Sequence, residues 1–189
     1  MATISNSIII GCWIIFLAYW FISARRVKMV MERKSELSSL AYRLPFITGA
    51  MLLWTSGLPH PLNLRLTPHT DLTPLLGAII CLCGLFVAIW ARRTLAGNWS
   101  SNVTFKQGHE LVKTGPYHFA RHPIYTGMLL MCLATPVEFG WLRCWLGLLF
   151  LSIGLWIKLK QEEALMLQHF PDEYPAYQKQ VKALVPFVI

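Results

Sequence analysis

Apolar residues gather into five runs separated by polar connections. A helix needs roughly 20 residues to cross a hydrocarbon layer about 30 Å thick. The first run, Asn6 to Ala24, has no charge in its core from Ile8 to Ile22. No basic stretch precedes it, as a secretory signal would require, so an uncleaved helix is expected. The second run, Leu44 to Leu58, is short and contains Pro45, Gly49 and Gly57, whereas the third, Leu72 to Trp90, is charge-free and nearly full length. Ile124 to Pro136 and Trp141 to Lys158 follow, separated by the stretch VEFG, and together predict a tight helical hairpin. The pattern predicts an all-α integral membrane protein of about five transmembrane helices. Residues 1–189 would form one membrane domain, with three spans in 1–90 and the hairpin in 91–189.

Composition agrees with that solvent. Of 189 residues, 55% are hydrophobic and 14% charged, against about a quarter charged in an ordinary soluble domain. The net charge of +8 would by itself suit nucleic acid or an anionic surface, so the positions of the basic residues decide. Arg25, Arg26, Lys28, Arg33, Lys34 and Arg43 lie between runs one and two; Arg92, Arg93, Lys106, Lys113 and Arg121 follow run three; Lys158, Lys160, Lys179 and Lys182 lie near the end. Only Arg65 and Arg143 fall on the other side. This bias predicts an N-terminus outside and a C-terminus in the cytosol. It accounts for the charge without a nucleic-acid partner, and the same side chains would attract anionic lipid headgroups. The five cysteines, Cys12, Cys81, Cys83, Cys132 and Cys144, all sit in apolar segments with no C-x-x-C pair. They are expected to be buried small apolar residues, with no metal or disulfide role.

The polar connection from Ala91 to His122 is about thirty residues long, more than a hairpin needs, and such loops usually carry function. Gly97-Asn98 and Gly115-Pro116 mark turns, and His109 to Val112 reads as an extended segment with backbone groups free to bind. His122-Pro123 opens the fourth helix, where proline suits the first position and free N–H groups form an anion site. Arg121 and His122 stand at that mouth; alternatively, Arg121 and Lys113 reach for lipid headgroups. Beyond the last run come Glu162 and Glu163, and carboxylates at a membrane boundary are candidate site residues. Lys158 and Glu162 lie one turn apart on one helix face and can pair. Leu165, Phe170, Tyr174 and Tyr177 would pack this end onto the bundle. A carboxylate facing the anion site makes a pocket for a zwitterion.

The stretches GHELVKTGPYHFARHPIYTG and EEALMLQHFPDEYPAYQKQV, with the closing LVPFVI, resemble the isoprenylcysteine carboxyl methyltransferase family and its prokaryotic relatives. The resemblance covers Gly97 to Ile189, half the chain. It implies an integral membrane enzyme that uses S-adenosylmethionine without a Rossmann fold, and no G-x-G-x-x-G element is present. By that resemblance His109, Glu110, Leu111 and Val112 lie along the cofactor, Tyr117, His122, Pro123, Ile124 and Tyr125 line its adenosine and amino-acid portions, and Glu162 holds the amino group. The cofactor pocket would be cytosolic, built from the loop before the fourth helix and the C-terminal helix. Arg121, Lys158 and Glu162 are the expected catalytic set. The family usually has arginine at the position of Lys158, where it meets the acceptor carboxylate; lysine keeps the charge and loses the bidentate fork.

The expected acceptor is a lipidic carboxylate entering sideways from the bilayer, of isoprenylcysteine or another thioether. A phospholipid amine N-methyltransferase is the nearer alternative; it would need a base, for which Glu163, His118 and His109 are available. An NADPH-dependent sterol or isoprenoid reductase is more distant, since those enzymes usually have a longer chain with more spans. A non-catalytic scaffold would leave the two charged clusters unexplained.

Overall fold

The protein is described by a computed structural model covering residues 2–25, 30–33, 36–100, 103–106, 108, 110–186 and 188. Six helices carry the fold: α1 (Ala2–Ala24), α2 (Glu36–Trp54), α3 (Thr73–Leu95), α4 (Pro123–Phe139), α5 (Leu142–His169) and the short α6 (Glu173–Gln180). Those containing Ile4–Ala24, Thr73–Asn98 and Leu142–His169 are long and apolar enough to cross a membrane, while Pro123–Phe139 is apolar but shorter. Their outward faces are greasy: Ile10, Leu17, Phe21, Ile79, Leu82 and Phe86 are all exposed. Such a surface is stable against hydrocarbon and costly in water, so this is the build of a membrane protein. At 28 residues, α5 is about 42 Å long and outruns a hydrocarbon layer by about 12 Å. Its polar residues gather at its C-terminal end, from Lys158 onward.

Small residues set the helix pairs. α3 lies along α4 where Gly84 faces Gly127, and a Cβ added to Gly84 would meet the Gly127 carbonyl at 2.6 Å. α2 runs antiparallel to α5 through Gly49, Gly147 and Gly154; a Cβ on Gly154 would come within 2.9 Å of the Tyr42 carbonyl. Backbones approach this closely in membranes because dispersion, not hydrophobic burial, drives helix association there. α1 closes the bundle against α3, around Cys12, Cys81, Ala88 and Met131.

Several sequence expectations change. The second helix begins at Glu36 and ends at Trp54, not Leu44 to Leu58, and carries Pro45 inside it. The stretch after it, Thr55 to Leu58, turns at Gly57, whose φ of 75° lies in the left-handed region. The all-α expectation is amended by an antiparallel ribbon of β1 (Val30–Arg33) and β2 (Thr104–Lys106). Extended structure in the long connection thus falls at 104–106; Glu110, Leu111 and Val112 have no regular structure, and His109 lies outside the described residues. Four cysteines are buried as expected, but Cys83 is exposed, because its position on α3 faces away from the packed side.

The hairpin between α4 and α5 forms as predicted. Gly140 caps α4 at φ 72°, its N–H donating to Pro136 O. The turn is tied to the loop before α3: the Leu66 N–H donates to Gly140 O at 2.7 Å and the Leu142 N–H to Leu64 O at 2.8 Å. Arg143, buried at this end, donates to the Leu52 and Leu53 carbonyls at 3.1 and 3.2 Å and to Asn63 Oδ1 at 3.1 Å. It satisfies carbonyls that the end of α2 leaves without helical partners. One of the two basic residues outside the main charge bias is therefore a helix cap.

Candidate active site

The site grows from the way the chain's end returns to the start of α4. After α6, residues 181–186 run beside the segment before Pro123. The Arg121 N–H donates to Lys182 O at 2.8 Å, the His122 N–H to Ala183 O at 2.9 Å, and Thr126 Oγ1 to Leu184 O at 2.7 Å. These contacts bring the protein's own C-terminal segment against the two residues that precede α4. Within the first turn Pro123 supplies no amide, and the Tyr125 and Thr126 N–H groups donate to His122 O at 2.9 and 3.1 Å.

Arg121 is likewise consumed. Its Nε donates to Glu163 Oε1 at 2.8 Å, a second guanidinium nitrogen lies 2.6 Å from the same oxygen, and Nη1 donates to the carbonyls of Gln178 and Val181. Burial works against charge on Glu163, but His122 and Arg121 outweigh it and hold the carboxyl at about 2. With 6% of its side chain exposed, Glu163 is a buried anion that locks α5, α4 and the tail together. That makes Arg121 a positioning residue.

Glu162, next along the chain, is different: 24% of its side chain is exposed. Tyr125 Oη donates to its Oε1 at 2.6 Å, Lys158 Nζ stands 3.9 Å from the same oxygen, and His122 Nδ1 lies 3.6 Å from Oε2. The other His122 nitrogen faces Glu163 Oε1 at 3.5 Å. The imidazole thus sits between two carboxylates and lies parallel to the Tyr125 ring, centroids 5.5 Å apart. Burial disfavours the imidazolium, yet Glu162 and Glu163 prevail and raise the His122 pKa above its ordinary value. Lys158 Nζ also faces the rings of Tyr125 and Tyr42 at 5.5 and 5.7 Å, close enough for cation–π attraction.

Around this cluster opens a cavity of about 820 Å³, counting its open mouth. Of the residues expected there, Glu110, Leu111, Val112, Tyr117, His122, Ile124, Tyr125 and Glu162 line it, and so does Arg121. Pro123 is buried at the start of α4 but is not in the wall, and Lys158 lines a neighbouring cavity instead. His118 is exposed and lines neither. Sequence reasoning missed Asn98, Trp99, Thr104 and Met166, and took Tyr174 and Tyr177 only as packing. Asn98 belongs to the expected Gly97-Asn98 turn and Trp99 follows it, but nothing in their spacing to Tyr125 foretold that they share a wall. Asn98 Oδ1 and Thr104 Oγ1 are buried without a hydrogen-bond partner, so the lining holds polar atoms that a ligand can satisfy.

The second cavity, about 930 Å³, lies between α1, α2, α4 and α5. Its wall is mainly apolar, including Trp20, Phe46, Met128 and Leu155, with Arg43 and Lys158 as its two cations. Trp99, Ile124 and Tyr125 line both cavities.

The sequence model of the isoprenylcysteine carboxyl methyltransferase family matches residues 76–168, from α3 through nearly all of α5. The protein-S-isoprenylcysteine O-methyltransferase of Saccharomyces cerevisiae is 30% identical over 125 residues, covering 63% of this chain and 51% of that protein. The enzyme of the same name from Xenopus laevis is 25% identical over 157 residues, 79% of this chain and 53% of that one. An uncharacterized Bacillus subtilis protein, YpbQ, is 27% identical over 93 residues, 49% of this chain and 55% of its own. The chain thus spans about half the length of the curated relatives it matches. The matched region carries Tyr117, the Arg121–Tyr125 turn and the Lys158–Glu163 face of α5, so the residues gathered here lie within the stretch over which the chain is similar to the isoprenylcysteine carboxyl methyltransferase family.

Proposed function

We propose that this protein is an S-adenosylmethionine-dependent methyltransferase of a lipidic carboxylate, such as that of an isoprenylcysteine. One observation carries the reading: a cavity with the charge cluster in its wall and a more apolar cavity between helices share the wall formed by Trp99, Ile124 and Tyr125. A water-soluble donor and a membrane-embedded acceptor each need their own compartment and one meeting place. The relatives named protein-S-isoprenylcysteine O-methyltransferase support the same chemistry.

The residues present fit the cofactor. Glu162 offers an open carboxylate for an ammonium, Glu110 stands in the wall for hydroxyl groups, Leu111, Val112 and Met166 give apolar surface for a purine, and Asn98 and Thr104 hold unsatisfied polar atoms. S-adenosylmethionine supplies a methyl group on a sulfonium, already activated for transfer. The protein's task is then orientation and exclusion of water. Lys158 neutralises the acceptor carboxylate and holds it near Tyr125. An ionised carboxylate attacks without a general base, which suits a site whose Glu163 is spent on Arg121. The described lining of the apolar cavity contains no carboxylate, which favours an anionic acceptor over an amine.

The charge bias supports a topology with the C-terminus and the polar cavity in the cytosol. Five crossings follow if α2 and the short α4 span as well, tilted or with local thinning of the bilayer. The test is ligand-induced thermal stabilisation of the detergent-purified protein. S-adenosylhomocysteine should stabilise it and NADPH should not, and Glu162→Ala should remove the effect. Stabilisation by NADPH alone ends the reading.

A further inference from the structure

A buried cation stands behind the wall that the two cavities share. Arg92, in the last turn of α3, is 3% exposed. Its Nη1 donates to Ala96 O at 2.7 Å and its Nη2 to Ser23 O at 2.8 Å, and its guanidinium carbon lies 4.6 Å from the centre of the Trp99 ring. The remaining nitrogen, Nε, is buried without a hydrogen-bond partner. Burying a charge on such terms is costly, and the groups it binds show what it holds. Ala96 has φ 48° and ψ −123°, a region that suits glycine and strains alanine, and such a turn persists only where its neighbours fix it. From that turn the chain carries Trp99 back over Arg92, and the indole meets Trp20 of α1 nearly at a right angle, ring centroids 6.2 Å apart. Trp99 lines both cavities and Trp20 the more apolar one, whereas Arg92 lines neither.

We infer that Arg92 is a positioning residue for methyl transfer: it fixes the Trp99 indole in the shared wall and so sets how donor and acceptor meet, without touching either. The inference rests on the methyltransferase reading and deepens it. Arg92 joins three pieces of chain at one point: the end of α1 through Ser23, the turn after α3 through Ala96, and the indole through its face. A guanidinium does all three at once because its donors lie in a plane whose face stacks on an aromatic ring, a shape that an ammonium lacks. Transfer between two cavities depends on alignment, and a misplacement of about 1 Å caused far from the chemistry can cost about a hundredfold in rate. An indole left to swing in this wall loses that alignment and opens the meeting place to water.

The experiment measures, by calorimetry on the full-length protein in detergent, the affinity for S-adenosylhomocysteine with and without saturating farnesylated N-acetylcysteine. Two ligands that meet at one held wall are coupled through it, so the acceptor should tighten the wild-type affinity at least about fivefold, the low end of ordinary coupling. Arg92→Gln should bring that factor close to one while leaving the affinity for S-adenosylhomocysteine alone within about threefold of wild type. Arg92→Lys keeps a cation behind the ring but cannot span both carbonyls, and should retain part of the coupling. Trp99→Ala should abolish it, and adding Arg92→Gln to Trp99→Ala should change nothing further, because both act through one contact. Turnover of S-adenosylmethionine with the same acceptor should follow: kcat falls with the coupling, and KM for the donor hardly moves. A wild type without coupling, or an Arg92→Gln or Trp99→Ala variant that keeps it, overturns the inference. So does an Arg92→Lys variant that loses affinity for S-adenosylhomocysteine alone in step with its melting temperature, for then Arg92 holds only the fold. Failure of the methyltransferase reading is separate: it shows as a wild type that S-adenosylhomocysteine does not stabilise, and the inference then falls with it.

Discussion

Tyr125 Oη donates to Glu162 Oε1 at 2.6 Å across 37 positions of sequence. The bond joins the second residue after Pro123 on α4 to the polar end of α5, so the wall between the two cavities is fastened to the carboxylate that faces the polar one. Packing α3 on α4 and α2 on α5 brings these groups together, and neither helix pair alone would contain the site.

Removing that hydroxyl isolates its contribution. Tyr125→Phe keeps the ring parallel to His122 and facing Lys158, but leaves Glu162 without its shortest partner. A hydrogen bond to a charged group contributes about 1.5–3 kcal/mol, so affinity for S-adenosylhomocysteine should fall at least tenfold by calorimetry, with a smaller effect on melting temperature. Unchanged affinity would mean that the orientation of Glu162 does not matter to the ligand.

The pair behind it should behave in the opposite way. Arg121→Gln or Glu163→Gln strands a buried charge, at a cost of about 3–5 kcal/mol for a buried pair. Each single variant should therefore be much less stable in detergent unfolding, while the double variant recovers a good part of the loss. Additive losses would indicate that the two side chains act independently.

His122 gives the stability a pH dependence of definite sign. Its folded pKa is raised by Glu162 and Glu163, so its contribution is full below about 6.5, the unfolded value, and is lost as pH rises through the folded value. The charged groups facing it are those two carboxylates, with the Tyr125 ring stacked alongside. Melting temperature should fall between pH 6 and 9 in wild type and change less in His122→Gln. A wild-type melting temperature that rises over that interval would contradict the assignment.

What was legible in the sequence follows from which interactions are local. The apolar runs of α1, α3, α4 and α5, the hairpin at Gly140 and the Lys158–Glu162 pair all depend on near neighbours, and they were read correctly. Start and end of α2 were misread because hydropathy sees where charge stops, whereas the helix itself runs through the charged residues from Glu36 to Arg43. His122 and Glu162 were singled out from charge placement and Tyr125 through resemblance; that Arg121 would be spent on Glu163 was not foreseen, since sequence adjacency gave no sign of which carboxylate each cation would take. Trp99 and Asn98 were missed because their place in the wall depends on how α3 ends, with Ala96 at φ 48° turning the chain inward.

The same limit hid the C-terminal segment, whose contribution is main-chain and leaves no side-chain signature. Carbonyls of Val181, Lys182, Ala183 and Leu184 accept from Arg121, His122 and Thr126. A chain ending at Gln180 would leave two backbone amides at the mouth of α4 unpaired and let the Arg121 guanidinium shift. Each buried unsatisfied group costs about 1–3 kcal/mol. That truncation should abolish stabilisation by S-adenosylhomocysteine, although none of the described residues it removes lines that cavity. Lys182→Ala keeps the carbonyl and discards only an exposed side chain, so it should bind like wild type. If Lys182→Ala proved as damaging as the truncation, the tail would act through its charge, and the hydrogen bonds at the head of α4 would not be what holds the site in shape.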